Sequence, residues 1–174
     1  MKTRLKRMPG KMKGTLRGKH APRSLKFATW GLLSGMVSIL AIFAVTKVAG
    51  FPLFIGSFGA SAVLLFGAND SPLAQPRNVV GGHLISATVA VTIVALLGSG
   101  PFAIALAVGL SIFLMDVTRT THPPGGATAL IGVQGLAGPE FILVPVLVGV
   151  VILLVVALFT NNIVHHRQYP KHWI

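Results

Sequence analysis

Thr120-Thr121-His122-Pro123-Pro124-Gly125-Gly126-Ala127-Thr128-Ala129-Leu130 lies between two long apolar runs, and its reading decides the fold. Pro123 and Pro124 lack N–H donors and forbid a helix running through them, so the preceding helix must stop near Arg119. Proline suits the first turn of a new helix, and Thr121 is placed to cap it. Gly125, Gly126, Ala127 and Ala129 carry almost no side chain, so a second backbone can come close, as membrane helix packing favours. The stretch therefore reads as a helix broken and restarted at membrane depth, with Arg119 and His122 at the break.

Composition supports a membrane setting. Of the 174 residues, 53% are hydrophobic and only 10% charged, far from the roughly one-quarter charged of a soluble domain. Without cysteine there is no disulfide, thiolate metal site or cysteine nucleophile. The net charge of +12 is concentrated: ten of the fifteen Lys and Arg residues lie within positions 1–26, with no acid among them. An apolar run follows at once, so this basic arm reads as a positive-inside anchor against anionic lipid and not as a nucleic-acid binder. The run is too long, and lacks the small-residue cleavage site, for an ordinary signal peptide.

The expected organisation is a basic arm (1–26), a transmembrane domain (27–164) and a short tail (165–174). Phe27 to Val48, Val79 to Leu97, Phe102 to Val117 and Phe141 to about Ile163 read as four long spans. Pro52–Ala68 and Pro123–Gly135 read as two short Gly/Ala-rich helices, broken or re-entrant. Gly59-Ala60-Ser61-Ala62 and Gly126-Ala127-Thr128-Ala129 lie 67 positions apart, as do Ser71-Pro72 and Gly138-Pro139, which points to two internal repeats of about that length. The fold class is thus all-α integral membrane. Two topologies compete. Six full crossings put Arg77, Arg119, Arg167 and Lys171 on the side of the basic arm, as the positive-inside rule prefers. Four crossings with re-entrant short segments respect their length, since 13 to 17 residues hardly traverse a ~30 Å hydrocarbon core. Both leave the two termini in the cytoplasm.

Polar residues near the spans are few, and a charge at mid-bilayer costs on the order of 3 kcal/mol, so any that is buried must be paired or functional. Arg119 beside a fresh helix N-terminus is the material of an anion site, although both Arg119 and His122 could instead rest at the headgroup level. Pro76, Arg77, Asn78 and His83 form the corresponding set in the first half; His83 points deeper, and a histidine simply bonded to a neighbouring carbonyl is an equal reading of it. An Asp116–Arg119 pair at i,i+3 is expected as a structural link. No hydrolase motif, nucleotide loop or metal-ligand spacing is present, so no catalytic residue, cofactor or metal is expected, and the chain is not expected to be an enzyme.

Phe58-Gly-Ala-Ser-Ala62, Ser71-Pro-Leu-Ala-Gln-Pro-Arg-Asn78, Gly82-His83, Arg119-Thr-Thr-His-Pro-Pro124, Gly126-Ala-Thr-Ala-Leu130 and Asn161-Asn162 together resemble the HPP family of small integral membrane proteins. The resemblance spans about Leu25 to Trp173. It implies a membrane protein usually drawn with four transmembrane helices, some of whose plastid and cyanobacterial relatives are described as nitrite transporters. The expected function is thus a transporter or channel for a small inorganic anion, nitrite first, in a bacterial inner membrane. Its substrate-binding residues would be Arg77, Asn78, His83, Arg119, Thr121, His122 and Thr128. Pro76, Pro123, Pro124, Gly59 and Gly126 would shape the backbone around them. A non-transporting scaffold or regulatory subunit is the alternative. The expected partners are the lipid bilayer and the anion, not nucleic acid; glycine-rich faces suit self-association and packing within one chain equally well.

Overall fold

Proline and glycine punctuation places the breaks in an otherwise uninterrupted apolar sequence, and the computed structural model, which describes residues 24–50 and 52–174, follows it closely. Most of the basic arm lies outside the described residues. Helix α1 spans Leu25–Ala49; Ser24 Oγ caps it by accepting from the Phe27 N–H, and Gly50, at φ 74°, ends it in the left-handed region. A non-helical stretch, residues 52–56, leads to α2, Ser57–Ala62, which continues as a π-helical turn over Val63–Gly67. A short 3-10 turn, Pro72–Ala74, precedes α3, Pro76–Leu97. Helix α4 spans Pro101–Val117 and α5 spans Pro123–Gln134, each opened by proline. The final helix enters through a π-helical turn at Ile142–Leu147, kinked around Pro145, and runs as α6 over Val148–Ile163. The described residues hold six helices and no strand.

Three segments are long and apolar enough to cross a membrane: Leu25–Ala49, Pro76–Leu97 and Ile142–Ile163, with 25, 22 and 22 residues. The fourth expected long span, α4, has only 17 residues. It ends where expected, two residues before Arg119, which adopts φ 57° as the chain turns.

Cross-chain contacts settle how the segments alternate. The Leu53 N–H donates to Thr46 Oγ1 near the end of α1, whereas a Cβ added at Gly31, near its start, would lie 2.9 Å from the Phe66 carbonyl. Helix α2 therefore runs antiparallel to α1 and returns to the face where α1 began, here the N-terminal face. Asn69 and Ala74 bond to Gln168 and Tyr169 of the tail, and Arg77 and Asn78 bond to the carbonyls of Thr118 and Thr121. The 68–75 loop, the 118–122 loop and the tail thus share one face, and the chain alternates direction through six segments. Non-helical backbone flanks the two short helices, residues 52–56 before α2 and 135–139 after α5. Such backbone at membrane depth requires cover from neighbouring helices, and Leu53 and Ile55 are accordingly buried.

Element boundaries recur at an offset of 67. Shifted by that amount, Ser57–Gly67 becomes 124–134 against the observed Pro123–Gln134, and Pro76–Leu97 becomes 143–164 against Ile142–Ile163.

Two apolar cores divide the helices. One joins α1, α2 and α6 through Ile42, Phe58, Leu65, Phe66, Val150 and Leu153, with one face of α3 against it. The other joins α3, α4 and α5 through Ala90, Ile93, Ala103, Ala107, Ala129 and Val133. At two further glycines a neighbour leaves no room for a side chain, a backbone at Gly125 and a ring at Gly149. A Cβ at Gly125 would lie 2.7 Å from the Gly82 carbonyl, and one at Gly149 would lie 2.2 Å from the Phe58 ring. Gly59 and Gly126, expected to provide such approaches, do not: Gly59 has no neighbour within 4 Å of an added Cβ, and Gly126 only Val108, at 4.0 Å.

Candidate functional site

Where α2, α3 and α5 meet, along the seam between the two cores, five polar side chains are shut away from solvent. Ser57 is 1% exposed, and Ser61, His83, His122 and Thr128 are 0% exposed. They form one continuous chain of contacts. His122 Nδ1 lies 2.8 Å from the carbonyl oxygen of Leu73, and His122 Nε2 lies 2.9 Å from Ser61 Oγ. Ser61 Oγ is also 2.8 Å from His83 Nε2; His83 Nδ1 is 2.7 Å from Thr128 Oγ1, which is 2.9 Å from Ser57 Oγ. The imidazole rings are 5.0 Å apart between centroids, and the Phe58 ring meets His83 edge-on at 5.6 Å.

Local sequence explains each placement. His122 immediately precedes the Pro123-Pro124 helix start with extended backbone, so its ring swings under the 68–75 loop. Gly82 makes room: a Cβ there would lie 2.5 Å from the His122 Cβ. Thr128 sits on the buried face of α5, next to the tight Gly125 crossing. His83 stands seven residues beyond Pro76, about 10 Å along α3. The repeat adds its own logic, because Ser61 and Thr128 occupy equivalent positions 67 residues apart and grip the two nitrogens of one imidazole.

The carbonyl of Leu73 can only accept, so the proton of neutral His122 resides on Nδ1 and its Nε2 accepts. Ser61 therefore donates to His122 and accepts from His83 Nε2–H. The Thr128 hydroxyl, whose one proton is directed to Ser57 Oγ, lies 2.7 Å from His83 Nδ1.

Other expected site residues lie elsewhere. Arg77 and Arg119 are exposed at the N-terminal face; Arg77 Nη2 donates to the Thr118 carbonyl, which tethers α3 to the loop that carries Arg119. Asn78 is half-buried beside them and donates to the Thr121 carbonyl. Thr121 does not cap α5: its Oγ1 donates to Asp116 Oδ1, and the N-cap is His122, with no side-chain cap bond. Asp116 is thus engaged by Thr121, not by Arg119 as expected. Pro76 and Pro124 are buried at their helix starts, while Pro123 is exposed and lines, with Thr121 and Gly126, a cavity of about 480 Å³ between α4 and α5. Among the described residues, no group of three or more His, Asp or Glu side chains could hold a metal ion.

Sequence reading missed Ser57 and Ser61, whose positions in a Gly/Ser/Ala run suggested packing alone. It also missed a second buried network at the tail. Arg167, 7% exposed, donates from Nη1 to the Phe66 carbonyl and to Asn161 Oδ1, donates from Nη2 to the Phe27 carbonyl, and rests 3.9 Å above the Phe27 ring. Beside it the Tyr169 hydroxyl donates to the Ala74 carbonyl, and burial pushes that phenol above its ordinary range.

Apolar helices wrapped around a fully buried polar network define a multi-pass helical protein embedded in a lipid bilayer. Within that class the chain belongs to the HPP family, whose transmembrane-region model matches residues 20–170. It is similar to two transmembrane proteins of Dictyostelium discoideum. One is 44% identical over 173 aligned residues, covering 92% of this chain and 61% of the relative; the other is 46% identical over 156, covering 83% and 50%. The chain therefore spans only about half to three-fifths of the length of these relatives. No solved structure matches it.

Proposed function

We propose that the chain is a membrane transporter or channel for a small inorganic anion, nitrite first among them, and not an enzyme. The observation that carries this reading is the Ser57–Ser61–His83–His122–Thr128 network. Polar side chains inside a bilayer are costly and concentrate where solutes or protons pass. This network lies where two short helices from opposite halves meet, the position that binding sites take in transporters built from inverted repeats. The 67-residue recurrence and the alternating directions of the six segments support such a repeat. Neutral hydroxyl and imidazole donors suit a weakly hydrated monovalent anion, which needs hydrogen bonds but no fixed counter-charge. Arg77 and Arg119, at the N-terminal face beside the loop that covers His122, raise the local concentration of anions at that mouth. The positive-inside pattern puts this face, with both termini, in the cytoplasm, in a bacterial member at the inner membrane.

The test is uptake of nitrite into proteoliposomes holding the full chain, against protein-free vesicles. Entry above the control that falls at least tenfold in a folded His83→Ala variant supports the reading; entry equal to the control refutes it. The second reading is a non-transporting scaffold, favoured by one observation: the network is already saturated by its own members. Folded, abundant His83→Ala and His122→Ala proteins with unchanged nitrite entry would establish the scaffold.

A further inference from the structure

We propose that Gln75 and Tyr169 are the positioning residues of an inner gate: they tie the 68–75 loop to the C-terminal tail and so hold it shut over His122 at the N-terminal face. This gate rests on the transport reading above, because a site closed on all sides must open to a face before a solute can enter.

The cover over His122 is one short segment. The Leu73 carbonyl meets His122 Nδ1 at 2.8 Å, and His122 beneath it is 0% exposed. The backbone bonds within the segment are local turns: Ser71 N–H to the Ala68 carbonyl, Ala74 N–H to the Ser71 carbonyl, and Gln75 N–H to the Pro72 carbonyl. Side chains fix it to the tail. Gln75, fully buried, donates from Nε2 to the carbonyls of Asn69 at 3.1 Å and Ser71 at 2.8 Å, while its Oε1 accepts from the Lys171 N–H at 2.8 Å. A single amide thus gathers the loop and the tail together. The Tyr169 hydroxyl donates to the Ala74 carbonyl at 2.8 Å, one residue from Leu73, and Asn69 Nδ2 donates to the Gln168 carbonyl at 3.2 Å. The tail is in turn clasped to the end of α6 by Asn162, which accepts from the Tyr169 N–H at 3.1 Å and donates to the Tyr169 carbonyl.

The walls around His122 are packed too closely to part first. A Cβ added at Gly81 would lie 2.6 Å from Thr120 Cγ2, one at Gly82 would lie 2.5 Å from the His122 Cβ, and Gly125 sits against the Gly82 carbonyl. The ties between loop and tail are hydrogen bonds at the aqueous face, where water can replace either partner. The loop is therefore the part that yields. When it lifts, the Leu73 carbonyl leaves His122 Nδ1 and the ring is free to swing. Ser61, whose hydroxyl lies 2.9 Å from His122 Nε2 in the shut form, can then donate to an incoming anion instead. The tail keeps the shut form the prevailing one.

The chain has no cysteine, so one introduced thiol is a clean reporter. Ser61→Cys in the full chain, held in lipid nanodiscs, is treated with an anionic methanethiosulfonate, and mass spectrometry follows the rate of labelling. Labelling should be slow with the native tail and at least tenfold faster when either Tyr169→Phe or Gln75→Ala is added. Tenfold corresponds to about 1.4 kcal/mol, the net worth of one such hydrogen bond. Tyr169→Phe keeps the ring and removes only the tie to Ala74, so it tests the gate without dismantling the tail. Ala107→Cys, buried in the second core, controls for general loosening and should label at the same rate in all backgrounds. Labelling of Ser61→Cys that is fast with the native tail, or that either variant fails to accelerate beyond the Ala107→Cys control, overturns the gate. Nitrite entry into proteoliposomes is measured separately on the cysteine-free chain. Absence of entry removes the anion reading and leaves tail-dependent labelling as the mark of a gate for another solute; tail-independent labelling removes the gate alone.

Discussion

Replacing Arg167 with alanine should destabilise the protein by about 3 kcal/mol, although the residue looks from sequence like one more cytoplasmic tail charge. Among the described residues the side chain makes three hydrogen bonds and a ring contact at the N-terminal face. Truncation strands the Phe66 carbonyl and Asn161 Oδ1, both at buried contacts, while the part-buried Phe27 carbonyl can turn to water. A stranded buried acceptor costs roughly 1–3 kcal/mol, so the lower half of that range for two acceptors gives the figure stated. Part of any loss is offset, because a buried guanidinium no longer has to be desolvated. Arg167→Lys should fall between, since one ammonium cannot reproduce a planar fork spread over three acceptors. The assay is reversible unfolding in mixed micelles with increasing sodium dodecyl sulfate, read by tryptophan fluorescence. Trp30 is a local reporter, as its Nε1 donates to the Thr160 carbonyl at 2.7 Å across the α1–α6 junction. A loss below about 1 kcal/mol for Arg167→Ala would show that water replaces the guanidinium at no cost and that the tail is not a structural tie.

Three further outcomes are expected. Tyr169 is the single tyrosine, so its ionisation can be followed by tyrosinate absorbance without interference. Its pKa is raised in the folded protein, so its contribution to stability is full below the ordinary value near ~10 and is lost as pH climbs through the folded value. Tyrosinate should therefore appear only with unfolding, and a titration at the ordinary pH with the fold intact would contradict the burial. Gly149→Ala should cost about 3 kcal/mol by driving a methyl into the Phe58 ring, and Phe58→Leu in the same chain should recover part of it; additive losses in micelle unfolding would disprove the contact. Arg77→Ala and Arg119→Ala, both exposed, should leave stability within about 0.5 kcal/mol yet raise the half-saturating nitrite concentration severalfold, and an unchanged uptake curve would remove both from the mouth.

The helix breaks and the alternation of segments were legible because proline, glycine and arginine act locally. Pro76, Pro101, Pro123 and Pro124 open helices, and Arg77, Arg119 and Arg167 fall on one face as the alternation of six segments places them. The site was half legible. His83, His122 and Thr128 stood out as polar residues in apolar surroundings, but Ser57 and Ser61 did not, since small hydroxyls also pack well between helices. The offset that pairs Ser61 with Thr128 was the signal that could have exposed them. Which glycines face a close neighbour cannot be read from composition: Gly125 meets the Gly82 backbone and Gly149 the Phe58 ring, Gly59 and Gly126 meet neither, and only the rotation of each helix decides it. The Arg167 tie joins residues a hundred or more positions apart, and no local pattern announces it.

The seam between the two cores has one further consequence. Both serines ride on α2 with the first core, whereas the histidines and Thr128 ride on α3, the 118–122 loop and α5 with the second. Wedged by the Phe58 ring into the notch at Gly149, α2 cannot slide without carrying α6 along. A small rocking of one bundle against the other would therefore break all the serine contacts together.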